Sequence, residues 1–457
     1  MNAPSISTGS SRRRRGRRVV LVAMYPARDA AMPEFISNHG MRMIEATLRH
    51  ADADGLSVFT FDLYQADADE LHDAIIEQQP DFVAFSAYLW SFPLFAQVAV
   101  QLRQSDPELT IVFGGPSAQP AMFDLSVYDA TRRVVDALVI GEGEQTMLEL
   151  VLLQERCREN IAGVNGVAVW NGLTWYNSPQ RPLSDLNLLP SPYSLGLVPR
   201  GGLGVLQTYR GCPFTCTFCE WGTLESPDRV SSAENISTEL EAMARNNCNG
   251  TLLVDAGLNL NGRAFRELDL AAQQTGFFRE RKLICEVYPA KIRDEHLKFL
   301  ENIGEPLVGI GLQSFDNSVL ANVERRYEEE RFDANVRSLT DIAHVAIEII
   351  MGLPGDSPHK FRESFSRARS YPCALRVYHC CVLPSALMVR SPPEHALVFN
   401  PFTLKVESCL GWSDAEIVRE CEFLNREAER SGGRSGEYFW VFPPPAVHQW
   451  SDKRMKQ

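Results

Sequence analysis

The sequence has no apolar run of the roughly 18 residues that a membrane-spanning helix needs, and no apolar stretch follows its N-terminal arginines as a secretory signal would require. It is short of positive charge: 45 Lys and Arg against 58 Asp and Glu leave a net charge of −13. Binding to a phosphate backbone needs the opposite balance, so no nucleic-acid partner is expected. Neither G-x-G-x-x-G nor G-x4-G-K-S/T occurs in the N-terminal half, so NAD and ATP lose ground there. Disulfide scaffolding is also disfavoured. The eleven cysteines are an odd number in a long chain, which fits a reducing, cytoplasmic setting with no membrane association.

A length of 457 residues suggests two to four domains. Residues 1–17 read as a disordered basic leader, with Arg12 to Arg15, then Arg17 and Arg18, as a solvated run rather than an anion-binding tail. From residue 18 the pattern changes. Val19–Met24, Leu56–Phe61, Phe82–Ser86, Ile111–Phe113 and Ala137–Ile140 read as buried strands, with helices such as His39–His50 and Leu94–Gln104 between them. Such alternation predicts an α/β domain over residues 18–150, a flavodoxin-like or Rossmann-like parallel sheet. Residues 151–200 read as a connector, with a small hairpin turning at Asn165–Gly166 and a proline-punctuated stretch after it. The alternation resumes over 201–380, with strands at Val205–Thr208, Thr251–Asp255, Leu283–Val287, Val308–Gly311 and Ala346–Met351, as in a partial βα barrel. Residues 381–457 read as a small C-terminal domain that caps the barrel mouth and holds one helix, Asp414–Glu429.

The chemistry concentrates in Cys212-Pro-Phe-Thr-Cys216-Thr-Phe-Cys219, a C-x3-C-x2-C loop directly after a strand. Three thiolates on one short loop can hold three corners of a 4Fe-4S cubane and leave the fourth iron open to a ligand. A structural zinc site is the competing reading. It needs four ligands, and no second cysteine pair follows at suitable spacing. The other cysteines read as packed thiols, with Cys380, Cys381 and Cys409 as candidate hydrogen donors.

Glycine-rich turns follow the strands of the first domain: Gly114-Gly115-Pro116, and Gly141-Glu142-Gly143-Glu144 opening a helix, with Ser86 ending the third strand. Open α/β sheets bind ligands at these C-terminal strand ends.

The cysteine loop, with Phe218 before its last cysteine and Glu220-Trp221-Gly222 after it, resembles the radical SAM superfamily. Asp255-Ala256-Gly257, Glu286, Gly309-Ile310-Gly311-Leu312-Gln313-Ser314 and Gly352-Leu353-Pro354-Gly355 follow in the order of that family's later motifs. The glycine turns of the first domain and Leu189-Pro190-Ser191-Pro192-Tyr193 are similar to the cobalamin-binding branch of the superfamily. The resemblance covers about residues 18–380. It extends in part to class B-like methyltransferases, and to a tryptophan C2-methyltransferase group through the acid–Trp–Gly ending. The match at Asp255-Ala256-Gly257 is incomplete, so tryptophan is not carried over as substrate.

The resemblance implies a 4Fe-4S cluster on Cys212, Cys216 and Cys219. It implies S-adenosylmethionine near Phe218, Asp255, Glu286, Gln313 and Ser314. It implies cobalamin near Ser86, Gly114, Gly115, Gly141, Glu142 and Gly143. The cobalt-ligating D-x-H-x-x-G motif is absent, so no histidine of that motif coordinates cobalt. The activity implied is methyl transfer from methylcobalamin to an unactivated carbon of a small molecule or peptide, as in natural-product biosynthesis, with a flavodoxin or ferredoxin as reductant. A non-methylating cobalamin-dependent rearrangement or cyclisation is the alternative. A cobalamin or redox sensor is the alternative from another class, and the intact cysteine loop speaks against it.

Overall fold

The computed structural model describes residues 17–25, 36–223, 229–325 and 327–445. The leader expected at 1–17 therefore lies outside the described residues, except for Arg17, which opens a strand.

The first sheet contains β1 (Arg17–Met24), β2 (Leu56–Leu63), β3 (Phe82–Ser86), β4 (Thr110–Gly114), β5 (Ala137–Val139), β6 (Val167–Trp170) and β7 (Trp175–Asn177). Its order is β2-β1-β3-β4-β5-β6-β7. The first five strands are parallel, in the flavodoxin-like order. Both faces are covered, which explains the near-continuous apolar runs. Val20, Val22, Val83, Phe85 and Phe113 fill one face. Val19, Leu21, Phe82, Ala84 and Val112 fill the other.

The expected hairpin is present, but not where its turn was expected. Asn165–Gly166 precedes β6, and β6 and β7 join around Asn171–Gly172. Both dipeptides have turn chemistry, and only the second stands between two segments that pair. The first sheet also continues past residue 150, because β6 pairs antiparallel with β5.

The second sheet begins at β8 (Gly204–Leu206). A short ribbon follows, made of β9 (Tyr209–Arg210) and β10 (Arg229–Val230). The sheet then takes β11 (Gly250–Leu253), β12 (Lys282–Val287), β13 (Glu305–Gln313), β14 (His344–Met351) and β15 (Ala374–His379). These pair in parallel and in sequence. Between them run helices including Ala233–Arg245, Gly262–Thr275, Asp294–Glu301, Glu329–Thr340 and Pro358–Ala368. The sheet does not close on itself: β8 forms one edge.

Past residue 380 the chain does two things that its faded periodicity hid. A small ribbon, β16 (Val398–Phe399) and β17 (Val406–Ser408), brings Leu404 into the core of the first domain. Then, after the helix Asp414–Arg430, β19 (Phe439–Phe442) returns antiparallel to β15, and β18 (Arg434–Ser435) pairs antiparallel with β19 and forms the other edge of the sheet. Phe439–Phe442 is a run of only four residues, too short to stand out before its partner is known. Among the described residues no helix is long and apolar enough to cross a membrane.

Candidate functional site where the two sheets meet

Cys212, Cys216 and Cys219 lie between the two strands of the β9–β10 ribbon, beyond the C-terminal end of β8. The backbone of this loop is pinned from outside. Arg390 donates to the carbonyls of Cys216 (2.8 Å) and Cys219 (2.5 Å), and Thr217 N–H donates to Val323 O (3.1 Å). All three cysteines are free thiols. Burial pushes the Cys212 thiol up, the Phe214 N–H opposes this, Cys216 adds to it, and Arg325 and Lys291 oppose it. Among the described residues no three metal-ligating side chains converge on one point. The donor set itself fits a cubane: three soft sulfurs on one loop, with the cations Arg325 and Lys291 beside them.

Inside the second sheet, alternate residues of neighbouring strands bring charge together. Glu286 on β12 lies over Gly309 of β13, where a Cβ would overlap its carboxylate. Glu348 on β14 accepts from Arg376 (3.1 Å) and from the Tyr378 hydroxyl (3.3 Å), both on β15. Burial pushes the Glu286 carboxyl well up, Glu348 adds to this, and Arg376 and Arg325 oppose it. Glu286 was expected from the sequence. Glu348, Arg376 and Tyr378 were missed, although Glu348 gave the same signal, a charge inside an apolar strand.

The remaining S-adenosylmethionine candidates divide. Gln313 ends β13 with φ +78° and turns its amide over Gly311. Phe218 packs against the second core. Asp255 is buried with its oxygens committed: it accepts from Thr208 N–H (2.8 Å), the Thr208 hydroxyl and Tyr209 N–H (3.3 Å). Burial lifts its carboxyl to about 7 against those bonds. Ser314 is equally committed, to Ser364 and to Asp316 N–H. These two hold strand ends in place. Glu220, beside the last cysteine, accepts from the Ser385 hydroxyl (3.0 Å), and burial raises its carboxyl.

In the first domain, Ser86, Gly114, Gly115 and Gly141–Gly143 gather at the C-terminal edge of the parallel strands. Their glycines differ in kind. Gly115 (φ +90°) gives its side-chain space to the backbone of Ala87, whose carbonyl would sit 2.8 Å from a Cβ. Gly141 (φ +78°) faces open space. Ser86 donates to Asn38 Oδ1 (3.4 Å). Asn38 is fully buried, and its Nδ2 has no acceptor among the described residues. A buried amide with no acceptor in hydrogen-bonding geometry among the described residues, with the Tyr88 hydroxyl nearby, fits a polar ligand at this edge. Tyr25, Tyr88 and Trp90 stack beside it, with Tyr88 and Trp90 centroids 4.7 Å apart.

The candidate thiols are packed. Cys380 and Cys409 belong to the second core, and Cys409 Sγ donates to Gly352 O (3.5 Å). Cys381 packs against the first core. Burial pushes Cys381 and Cys409 up to about 12.

Residues 30–151 match the B12-binding domain, and residues 206–368 match the radical SAM superfamily. The chain joins a B12-binding domain to a radical SAM domain. Its cofactors follow from that pairing: a 4Fe-4S cluster, S-adenosylmethionine and cobalamin. It is similar to the 2-(S-pantetheinyl)-carbapenam-3-carboxylate methyltransferase of Streptantibioticus cattleyicolor, 29% identical over 76% of this chain and 54% of the relative. It is also similar to the cobalamin-dependent radical SAM methyltransferase TokK of Streptomyces tokunonensis, 27% identical over 79% of this chain and 56% of the relative. The chain thus spans about half the length of these curated relatives. Among solved structures, the radical SAM methyltransferase TsrM of Kitasatospora setae superposes with a TM-score of 0.62 at 16% identity, covering 85% of this chain and 81% of the other. That likeness establishes the fold.

Proposed function

We propose that this chain is a cobalamin-dependent radical SAM methyltransferase that moves a methyl group from methylcobalamin to an unactivated carbon. The acceptor is a small molecule or peptide of natural-product biosynthesis. The observation that carries this reading is the meeting of a B12-binding domain with a radical SAM domain, in a chain similar to two enzymes named methyltransferases. When bound, the cluster and S-adenosylmethionine supply a 5′-deoxyadenosyl radical and cobalamin supplies the methyl group.

The chain's own residues have assigned tasks in this reading. Cys212, Cys216 and Cys219 hold the cluster, and Arg390 fixes their loop through two carbonyls. Phe218, Glu286 and Gln313 receive S-adenosylmethionine, with Asp255 and Ser314 fixing the strand ends around it. The turns after Ser86, Gly114 and Ile140 receive cobalamin, with Asn38 Nδ2 donating. The free thiols among the described residues support a reducing, cytoplasmic setting, with a flavodoxin or ferredoxin as electron donor.

Anaerobic product analysis tests the proposal. Radical methylation yields S-adenosylhomocysteine together with 5′-deoxyadenosine. 5′-Deoxyadenosine without S-adenosylhomocysteine would move the chain to non-methylating radical chemistry. Cys216→Ala is expected to abolish S-adenosylmethionine cleavage, and full cleavage by that variant would overturn the cluster assignment.

A further inference from the structure

The acidic turn of the first domain and the cysteine loop of the second are tied by a partly buried set of ion pairs. Arg210 and Arg229 face each other across the β9–β10 ribbon. The loop between them carries all three cysteines. Arg210 Nη2 lies 2.5 Å from Glu144 Oε1, and its Nη1 lies 3.3 Å from Glu142 Oε2. Arg229 grips Glu142 with both terminal nitrogens, Nη2 to Oε2 at 3.1 Å. The four side chains are only 7–20% exposed. The groups around them are accounted for. Arg210 Nε donates to Gln207 (2.8 Å), Arg229 Nε donates to the Ser184 carbonyl (3.0 Å), and His39 faces Arg210 and Glu144.

We infer that Glu142 and Glu144 are positioning residues that clamp both legs of the cysteine loop onto the first domain, and so fix where the loop stands relative to that domain's C-terminal edge. Two features favour a positioning role over simple glue. The pairs cross between the two domains, so they stabilise neither sheet by itself. They also act on both strands of a two-residue ribbon, which is marginal without outside support. A guanidinium–carboxylate fork sets angle as well as distance, and breaking one partner leaves a buried charge uncompensated. Glu142 lies in the turn proposed to receive cobalamin, and its carboxylate is held by two arginines.

The inference rests on the cluster and cobalamin assignments for its functional meaning, and its test separates the two. In the full chain without added cofactors, hydrogen exchange of residues 211–223 is compared between the parent and Glu142→Gln. Loss of one charge-assisted fork is expected to speed that exchange about tenfold, with the helix Asp414–Arg430 unchanged. Arg229→Lys keeps the charge but loses the fork and is expected to retain only part of the protection. In chain loaded with cob(II)alamin and reduced cluster, Glu142→Gln is expected to alter the relaxation that one paramagnetic centre imposes on the other, while each centre's own spectrum is kept. Unchanged exchange at 211–223 overturns the clamp, as does unchanged spin relaxation in the loaded variant. If the chain takes up neither cofactor, the reading in Proposed function fails, and the exchange result still decides the clamp. If Glu142→Gln does not fold, Arg229→Gln carries the same comparison.

Discussion

Arg325 Nη1 lies 3.7 Å from Cys216 Sγ, and the same guanidinium donates to the Gly311 carbonyl and stands 5.4 Å over the Tyr288 ring. An N–H directed at a thiolate, on a fixed positive charge, stabilises the more negative state of a cluster held there. Arg325→Gln is therefore expected to lower the cluster's reduction potential. A sulfur hydrogen bond of about 1 kcal/mol corresponds to a shift on the order of 40 mV for one electron. Potentiometric titration followed by electron paramagnetic resonance measures it, and an unchanged or raised potential would contradict the assignment.

Gly309 and Glu286 form a second pair whose consequence is measurable. A Cβ at Gly309 would overlap the Glu286 carboxylate, so Gly309→Ala must push that carboxylate from its place. If Glu286 receives S-adenosylmethionine through one charge-assisted bond, Glu286→Gln weakens binding about tenfold. Gly309→Ala is expected to do the same, and the double variant to add little, because the two changes act on one interaction. Calorimetric binding to the cluster-loaded chain tests this, and full additivity would separate the two residues.

The pattern of strands and helices was legible wherever burial made it dense. The helix His39–His50 and the strand Phe82–Ser86 lie where periodicity put them. Strands whose identity depends on a distant partner were not legible. Phe439–Phe442 becomes a strand because β15 offers a free edge, and β6 belongs to the first sheet because β5 does. The site divided in the same way. Cys212, Cys216 and Cys219 stand out in the sequence because three thiols share one loop. Arg325, Arg376 and Arg390 were not, since each reaches the site from a separate element and nothing local marks its target. Glu142 and Asp255 show the converse: their motifs were visible, while the partners that occupy their oxygens lie far away in sequence.

The two glycines of the first domain's turns are expected to fail differently. At Gly115 a new side chain meets the Ala87 backbone, which has nowhere to go. Gly115→Val is expected to destabilise the whole first domain, by more than the ~1–2 kcal/mol that a left-handed backbone alone costs. At Gly141 nothing lies within 4 Å, so Gly141→Leu costs only the backbone term. It is expected to keep the fold and to block cobalamin at the turn. Thermal unfolding and retention of cobalamin through desalting distinguish them. A Gly141→Leu chain that folds and still retains cobalamin would remove that turn from the binding site.

Asp356 supplies a pH dependence of stability. It lies 2% exposed after the Gly352-Leu353-Pro354-Gly355 turn. Burial lifts its carboxyl from 3.8 to about 7, the Ser357 N–H opposes this, Asp316 adds to it, and Lys360 opposes it. A carboxyl whose folded value lies above its unfolded value binds more protons in the folded state. Its contribution to stability therefore falls as pH rises from about 4 to about 7, and is constant outside that window. Asp356→Asn has no such proton to lose. The variant is expected to gain on the parent by about 2–3 kcal/mol between pH 5 and pH 8, whatever the asparagine costs in hydrogen bonding at a single pH. Chemical denaturation of both chains across this range reads the difference directly. A stability gap that stays constant with pH would mean that Asp356 is ionised throughout, with Lys360 and the Ser357 N–H outweighing its burial.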